Sequence, residues 1–293
     1  LFSIPGRIME IPEMYRIKTD DIVLREGYCN VKDNYIIDDN KINFKKHYHE
    51  RVLDKKYLDI PIKYCYNSKG YRDCKEFEEY EDGNFILVFG CSYTEGVGLH
   101  SEDIWHYHIG KELGLDVVNL GVSGTGCDFQ VVNTMQWLKK YSKPKFVFYQ
   151  WPGKDRKYFI VGEDEVRTSI PAQWEDAESD YVDLPSNVKY PAKQDSRWYG
   201  KRYLSWPNMC HWDYYLNVNI CDQLWKGYGI NPIHWTWKDD APETQLDNME
   251  YVYTGGIESS MARDMAHPGR EIHSAVYQQL REKTNVQKIY EMA

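Results

Sequence analysis

An α/β fold on a mostly parallel sheet is what this sequence predicts, and two observations carry it. Phe85-Ile-Leu-Val-Phe89 is a continuous apolar run bounded by Gly83 and Gly90, the pattern of a strand buried on both faces. From there on, apolar strand-like runs alternate with amphipathic stretches of helical length, which implies right-handed crossovers between parallel strands. Taken in order, residues 1–80 are polar and irregular and read as an N-terminal arm or small subdomain of short strands and loops. After the first strand, Ser101-Glu-Asp-Ile opens a helix with a capping serine that runs to about Leu113 and stops at Gly114. Asp116-Val-Val-Asn-Leu120 is the second strand and Gly121-Val-Ser-Gly-Thr-Gly126 the loop after it. Asp128 to Tyr141 form the next helix, ended by Ser142-Lys-Pro144, and Lys145 to Trp151 the third strand. Residues 152–211 break the rhythm with charge, proline and scattered tryptophan, and read as a cap inserted above the active edge of a domain spanning 81–293. A helix from about Trp212 to Trp225 and a strand around Pro232-Ile-His-Trp-Thr-Trp237 restore the pattern, and a polar loop follows. The last helix is expected to start at Pro268, a favoured first-turn residue.

The bulk properties narrow the function. A chain of 293 residues buries a sizeable core, and a formal charge of -9 with no long basic run argues against nucleic acid as a partner. No apolar run approaches a membrane span, and Leu1-Phe-Ser-Ile-Pro5 lacks the basic start and apolar centre of a secretory signal, so a cytoplasmic or virion-associated protein is expected. Seven scattered cysteines without a C-x-x-C pair suit free thiols better than a disulfide framework or a zinc site. Ten tryptophans and 25 tyrosines exceed the needs of such a core and are expected to line a cleft, an insertion or a partner surface.

The chemistry is carried by two distant segments. Ser92, in Gly90-Cys-Ser-Tyr-Thr, follows the first strand directly and lies where parallel sheets place their reactive groups. Asp264-Met-Ala-His267 supplies an imidazole and a carboxylate in one loop. A serine hydroxyl needs such an imidazole to take its proton, and the imidazole works best when a carboxylate fixes its tautomer. With His267 next to Pro268 at a helix N-terminus, the macrodipole would favour the neutral base.

This arrangement resembles the SGNH/GDSL hydrolases over roughly residues 83–290, with the insertion unaccounted for. The resemblance implies a three-layer α/β/α sandwich, flavodoxin-like, and an esterase, lipase or carbohydrate deacetylase activity. Ser92 matches the nucleophile of the family's G-D-S block, with Cys91 in place of the aspartate, a form similar to phage-encoded variants. Asp264 and His267 match the D-x-x-H block. For the oxyanion the resemblance implies the N–H of Ser92, the N–H of Gly121 in the N-x-G-x-x-G loop, and the amide of Gln150 where the family has asparagine. Asn67-Ser-Lys-Gly70-Tyr-Arg72 is similar to an N-S-x-G-x-R segment of some members and is expected to be structural.

Competing sites are weaker. His47-Tyr-His49-Glu50 and His106-Tyr-His108 have no evident third ligand, so no metal is expected. The 121–126 loop is G-x-x-G-x-G and not the dinucleotide pattern, so no cofactor is expected. Cys91 is expected to turn inward instead of serving as a rival nucleophile. The expectation is a serine esterase acting on an acylated small molecule or glycan, with Trp151, Trp174, Trp198 and Trp206 contacting substrate. The alternative is a binding or structural phage-particle component with weak or no catalysis, which would bring virion or homo-oligomer partners.

Overall fold

The computed structural model describes residues 21–36, 39, 61–154, 156, 158–161, 165–168, 207–237, 249–253, 260–264 and 267–284. Two short strands, β1 (Lys32–Asp33) and β2 (Tyr64–Cys65), pair antiparallel. The main sheet is built from β3 (Phe85–Gly90), β4 (Asp116–Gly121) and β5 (Phe146–Trp151), with β8 (Ile233–Trp237) and β9 (Met249–Val252) later in the chain. All of its neighbours pair parallel, in the order β4-β3-β5-β8-β9. Between β5 and β8 lies an antiparallel hairpin, β6 (Tyr158–Val161) with β7 (Glu165–Thr168), within the expected insertion, whose last residues, 207–211, belong to the helix that follows. The helices are α1 (Ser92–Glu95), α2 (Trp105–Leu113), α3 (Cys127–Lys140), α4 (Pro207–Gly227) and α5 (Arg270–Thr284).

Alternation within each strand divides the core into two layers. Phe85, Leu87 and Phe89 face Phe129, Trp137, Tyr214, Val218 and Trp225 of α3 and α4, while Ile86 and Val88 face Trp105, Ile109, Val276 and Leu280 of α2 and α5. The result is an α/β/α sandwich in which β3 is buried on both faces, as its unbroken apolar run demands. The described part of the first 80 residues packs into these same layers. Ile22, Val23, Tyr71 and Phe77 join one layer, and Tyr28, Ile62, Tyr64 and Tyr66 the other.

Four local expectations are corrected. Ser101–Asp103 is a separate 3-10 turn and α2 starts at Trp105, because Ile104 is extended and buried beneath Gly96, where an added Cβ would meet its Cδ1 at 2.2 Å. The last helix starts at Arg270 instead of Pro268, since Pro268 bridges to Met261 and the Gly269 N–H donates to Ser260 O at 2.9 Å. Met249–Val252 is an edge strand where a loop was expected; its short, half-exposed sequence carries little apolar signal. Cys65 and Cys74 form a disulfide, whereas Cys29, Cys91, Cys127, Cys210 and Cys221 are in none. The turn between them folds back on itself, with Asn67 Oδ1 accepting from the N–H groups of Lys69 and Tyr71, so the two Cα atoms end 5.3 Å apart.

Candidate functional site

The carboxyl end of β3 turns into α1 so tightly that a Cβ at Gly90 would lie 2.1 Å from Thr94 Oγ1. Cys91 stays extended, and Ser92 becomes the first helical residue, one whose N–H has no intrahelical acceptor. Gly96, at φ 76°, ends the helix by donating to Ser92 O at 2.9 Å. Arg72 holds the exit: its guanidinium donates to the carbonyls of Glu95 at 3.1 Å and Leu99 at 2.6 Å, and also to Gly96 O. The N-S-x-G-x-R segment therefore secures the turn carrying the serine.

The loop bearing Asp264 and His267 docks on this same turn. Arg263 N–H donates to Gly98 O at 3.0 Å, and Gly98, at φ 74°, lies so close that a Cβ there would be 3.0 Å from Asp264 Oδ1. The His267 ring stands edge-on to Tyr93, the neighbour of Ser92, with centroids 5.6 Å apart. Asp264 Oδ1 accepts the His267 backbone N–H at 3.1 Å, and its Oδ2 is hydrogen-bonded to Nδ1. A carboxylate only accepts, so Nδ1 carries the ring proton and the basic lone pair belongs to Nε2. The Asp264 side chain is 2% exposed and that of His267 19%, so the carboxylate is sealed while the imidazole reaches the surface.

Two of the expected oxyanion donors are placed elsewhere. The Gly121 N–H donates to Asn119 Oδ1 at 2.9 Å, and the residue is pressed against α1, where a Cβ would be 2.4 Å from Glu95 N. Its role is close approach, not donation. Gln150 is fully buried, with Oε1 accepting from Cys91 N–H at 3.1 Å and Nε2 donating to Trp151 O at 3.0 Å. The backbone N–H of Cys91 requires the amide oxygen on that side, so the Gln150 amide braces the strand-to-helix junction from inside the core. The Cys91 thiol, 1% exposed, also points at Gln150 Oε1 and is turned inward, while Ser92 beside it is 5% exposed.

An N–H with no described acceptor lies three residues beyond Gly121. Gly124 is exposed, adopts φ 74°, and its N–H has no acceptor among the described residues. Its neighbour Ser123 is pinned, with Glu95 Oε2 accepting its N–H at 2.6 Å and its hydroxyl at 2.7 Å. Both glycines of Gly121-Val-Ser-Gly124 are visible in the sequence, but only the Asn119 side chain shows which N–H is occupied.

Glu95 links this loop to α1 and to the N-terminal segment, because its Oε1 accepts from Arg25 Nη1 at 2.8 Å and from Tyr66 OH at 2.9 Å. Burial pushes its carboxyl up, but Arg25 and Ser123 outweigh that and hold it below the usual range. Glu95→Ala would leave the Arg25 charge buried without its carboxylate, since both side chains are 0% exposed. A loss of about 3–5 kcal/mol is expected in denaturant unfolding. A change under about 1 kcal/mol, the scale of a surface pair, would show that the pair is not desolvated as described.

Trp151 is not available to substrate. It is fully buried, stacks on Tyr149 at 5.1 Å and donates to His234 Nδ1 at 3.0 Å, because β5 is an interior strand covered on both faces. Trp174, Trp198 and Trp206 lie outside the described residues, as do His47 and His49. His106 is buried with Nε2 against Thr94 O at 2.9 Å, and burial lowers its pKa to about 3. Among the described residues no cluster of three or more His, Cys, Asp or Glu could hold a metal ion, and no helix is long and apolar enough to cross a membrane.

No family model matches the chain, and no curated protein matches it. Among solved structures it is similar to a member of the lipolytic protein G-D-S-L family from Veillonella parvula DSM 2008, with 14% identity, TM-score 0.35, and coverage of 67% of this chain and 96% of that one. It is likewise similar to a putative lipolytic protein of the G-D-S-L family from Desulfitobacterium hafniense DCB-2, with 15% identity, TM-score 0.33, and coverage of 70% and 99%. At those scores the likeness adds nothing to the sheet order and site geometry of this chain.

Proposed function

We propose that this protein is a serine acyl hydrolase that works through an acyl-enzyme intermediate. The observation that carries the reading is the Asp264–His267 pair, whose sealed carboxylate fixes the Nδ1–H tautomer beside the turn bearing Ser92. In this mechanism Ser92 Oγ attacks the ester carbonyl carbon while His267 Nε2 takes the hydroxyl proton. The tetrahedral oxyanion is met by the N–H groups of Ser92 and Gly124. His267 then gives its proton to the departing alkoxide as the carbon–oxygen bond breaks, and a water repeats the sequence to release the acid. The substrate class is an acylated small molecule or an acylated glycan, with removal of acetyl groups from carbohydrate as the finer form of the proposal.

A serine-directed phosphonate and a short-chain aryl ester test this directly. The probe should attach to Ser92 and not to Cys91, at a rate that falls in His267→Ala, and the ester should be turned over. Attachment at Cys91, or labelling of Ser92 indifferent to His267, would sink the triad. One observation favours a second reading, a binding component on the same scaffold: Trp212, Tyr215, Leu216 and Ile220 form an exposed apolar stripe along α4. Well-folded protein that is neither labelled nor active would move the reading there.

A further inference from the structure

We propose that Asp39, in the N-terminal segment, is a positioning residue for the Asp264–His267 pair, an inference that rests on the hydrolase reading above. A closed ring of hydrogen bonds carries it. Asp39 accepts the Tyr64 hydroxyl proton at 2.6 Å, and the Tyr64 oxygen in turn accepts the Gly98 N–H at 2.8 Å. Gly98 O accepts the Arg263 N–H at 3.0 Å, and the Arg263 guanidinium returns to Asp39 through Nη2 at 2.6 Å and Nε at 3.1 and 3.2 Å. The side chains of Asp39 and Arg263 are 0% and 3% exposed, so the ion pair is shielded from water and salt.

The ring joins the two halves of the site. Gly98 belongs to the turn after the helix that begins with Ser92, and Arg263 immediately precedes Asp264. Between them, the space at Gly98 is already filled by Ala262 and Asp264, so the turn and the loop meet in van der Waals contact. Contact alone sets how near the segments come, whereas the hydrogen bonds fix how they slide past one another. Asp39 is the only carboxylate in the ring and accepts from both sides at once, through Tyr64 from the serine's turn and through Arg263 from the base's loop. Arg263 is further steadied by the carbonyl of Asn34 and by the Tyr35 ring, 4.3 Å from the guanidinium carbon. Asp39 touches no reacting atom; it sets where Asp264, and through it His267, stands relative to Ser92.

The test uses Asp39→Asn and Tyr64→Phe in the full chain, the second because it removes one hydroxyl without leaving a buried charge unpaired. The expected result is a fall in the phosphonate labelling rate and in kcat for a short-chain aryl ester of about tenfold to a hundredfold, since a misplacement of about 1 Å costs on the order of 10²-fold. KM should be unchanged, because the ring does not meet substrate. In an Asp264→Asn background neither substitution should lower the rate further, as both act through the same carboxylate. A second readout does not need activity: the downfield proton resonance of His267 Nδ1–H, assigned by its loss in His267→Ala, should shift or broaden in both variants. Where wild-type Ser92 is labelled, folded variants with wild-type labelling rates overturn the proposal, as do losses that simply add to that of Asp264→Asn. Where wild-type Ser92 is not labelled, the hydrolase reading fails separately and the resonance alone decides: an unchanged signal overturns the positioning role, a shifted one supports it. If Asp39→Asn does not fold, Tyr64→Phe decides on the same criteria.

Discussion

Ser92→Ala is expected to abolish ester turnover, lowering kcat by about 10⁶-fold, and adding His267→Ala should cost almost nothing more, because a nucleophile and its base act as a unit. Residual catalysis of about 10³–10⁴-fold over water would remain from the oxyanion donors and binding. The substitution should leave the fold intact. Ser92 supports α1 through its backbone carbonyl, which accepts from Gly96 N–H at 2.9 Å and Val97 N–H at 3.2 Å, and alanine keeps both bonds. The measurement is kcat of the two single variants and the double variant, with thermal midpoints alongside. Losses that multiply in the double variant would show that Ser92 and His267 do not work together, and turnover surviving Ser92→Ala would place the nucleophile elsewhere.

Asp264→Asn is expected to lower kcat by about 10⁴-fold through the wrong histidine tautomer rather than through lost structure. The orientation of the new amide is dictated by its surroundings. The His267 backbone N–H, 3.1 Å from Oδ1, needs an oxygen there, so the NH₂ must take the place of Oδ2 and point at Nδ1. Nδ1 would then accept, the ring proton would move to Nε2, and the lone pair that takes the serine proton would be gone. Thermal stability should change far less than rate, and His267 should remain in place. A loss under about tenfold, or a loss wholly explained by unfolding, would remove Asp264 from the catalytic machinery.

The ranking of these effects follows from the geometry. In the proposed mechanism Ser92, His267 and Asp264 handle the proton and the new bond, whereas Glu95 and Asp39 hold the elements that carry them. The second group is expected to tell more on stability and on precision than on the existence of activity. The N-terminal segment supplies much of that support. Arg25, Asp39, Tyr64, Tyr66 and Arg72 reach the helix of Ser92, the Ser123 loop or the Asp264 loop directly or through one partner. It is part of the site's foundation.

By itself the sequence determined whatever depends on local pattern. The run from Phe85 to Phe89 reads as a doubly buried strand because no polar residue interrupts it, and that places Ser92 at a strand end. Asp264 and His267 are legible as a pair because a spacing of three positions can bring a short carboxylate within reach of an imidazole. Tertiary structure decided which of several chemically equivalent groups is available. Gly121 ends β4 and Gly124 follows it, and only the Asn119 side chain, by occupying one N–H, leaves the other. Gln150 and Trp151 sit at a strand end like Ser92, yet β5 lies between β3 and β8, so covering layers claim both side chains. Asp39 meets Arg263 across 224 residues, and Cys65 meets Cys74 through a turn held by Asn67. A hydrogen bond or ion pair between distant residues leaves no periodic trace in the chain. It exists only once packing has removed the water that would otherwise satisfy each partner separately.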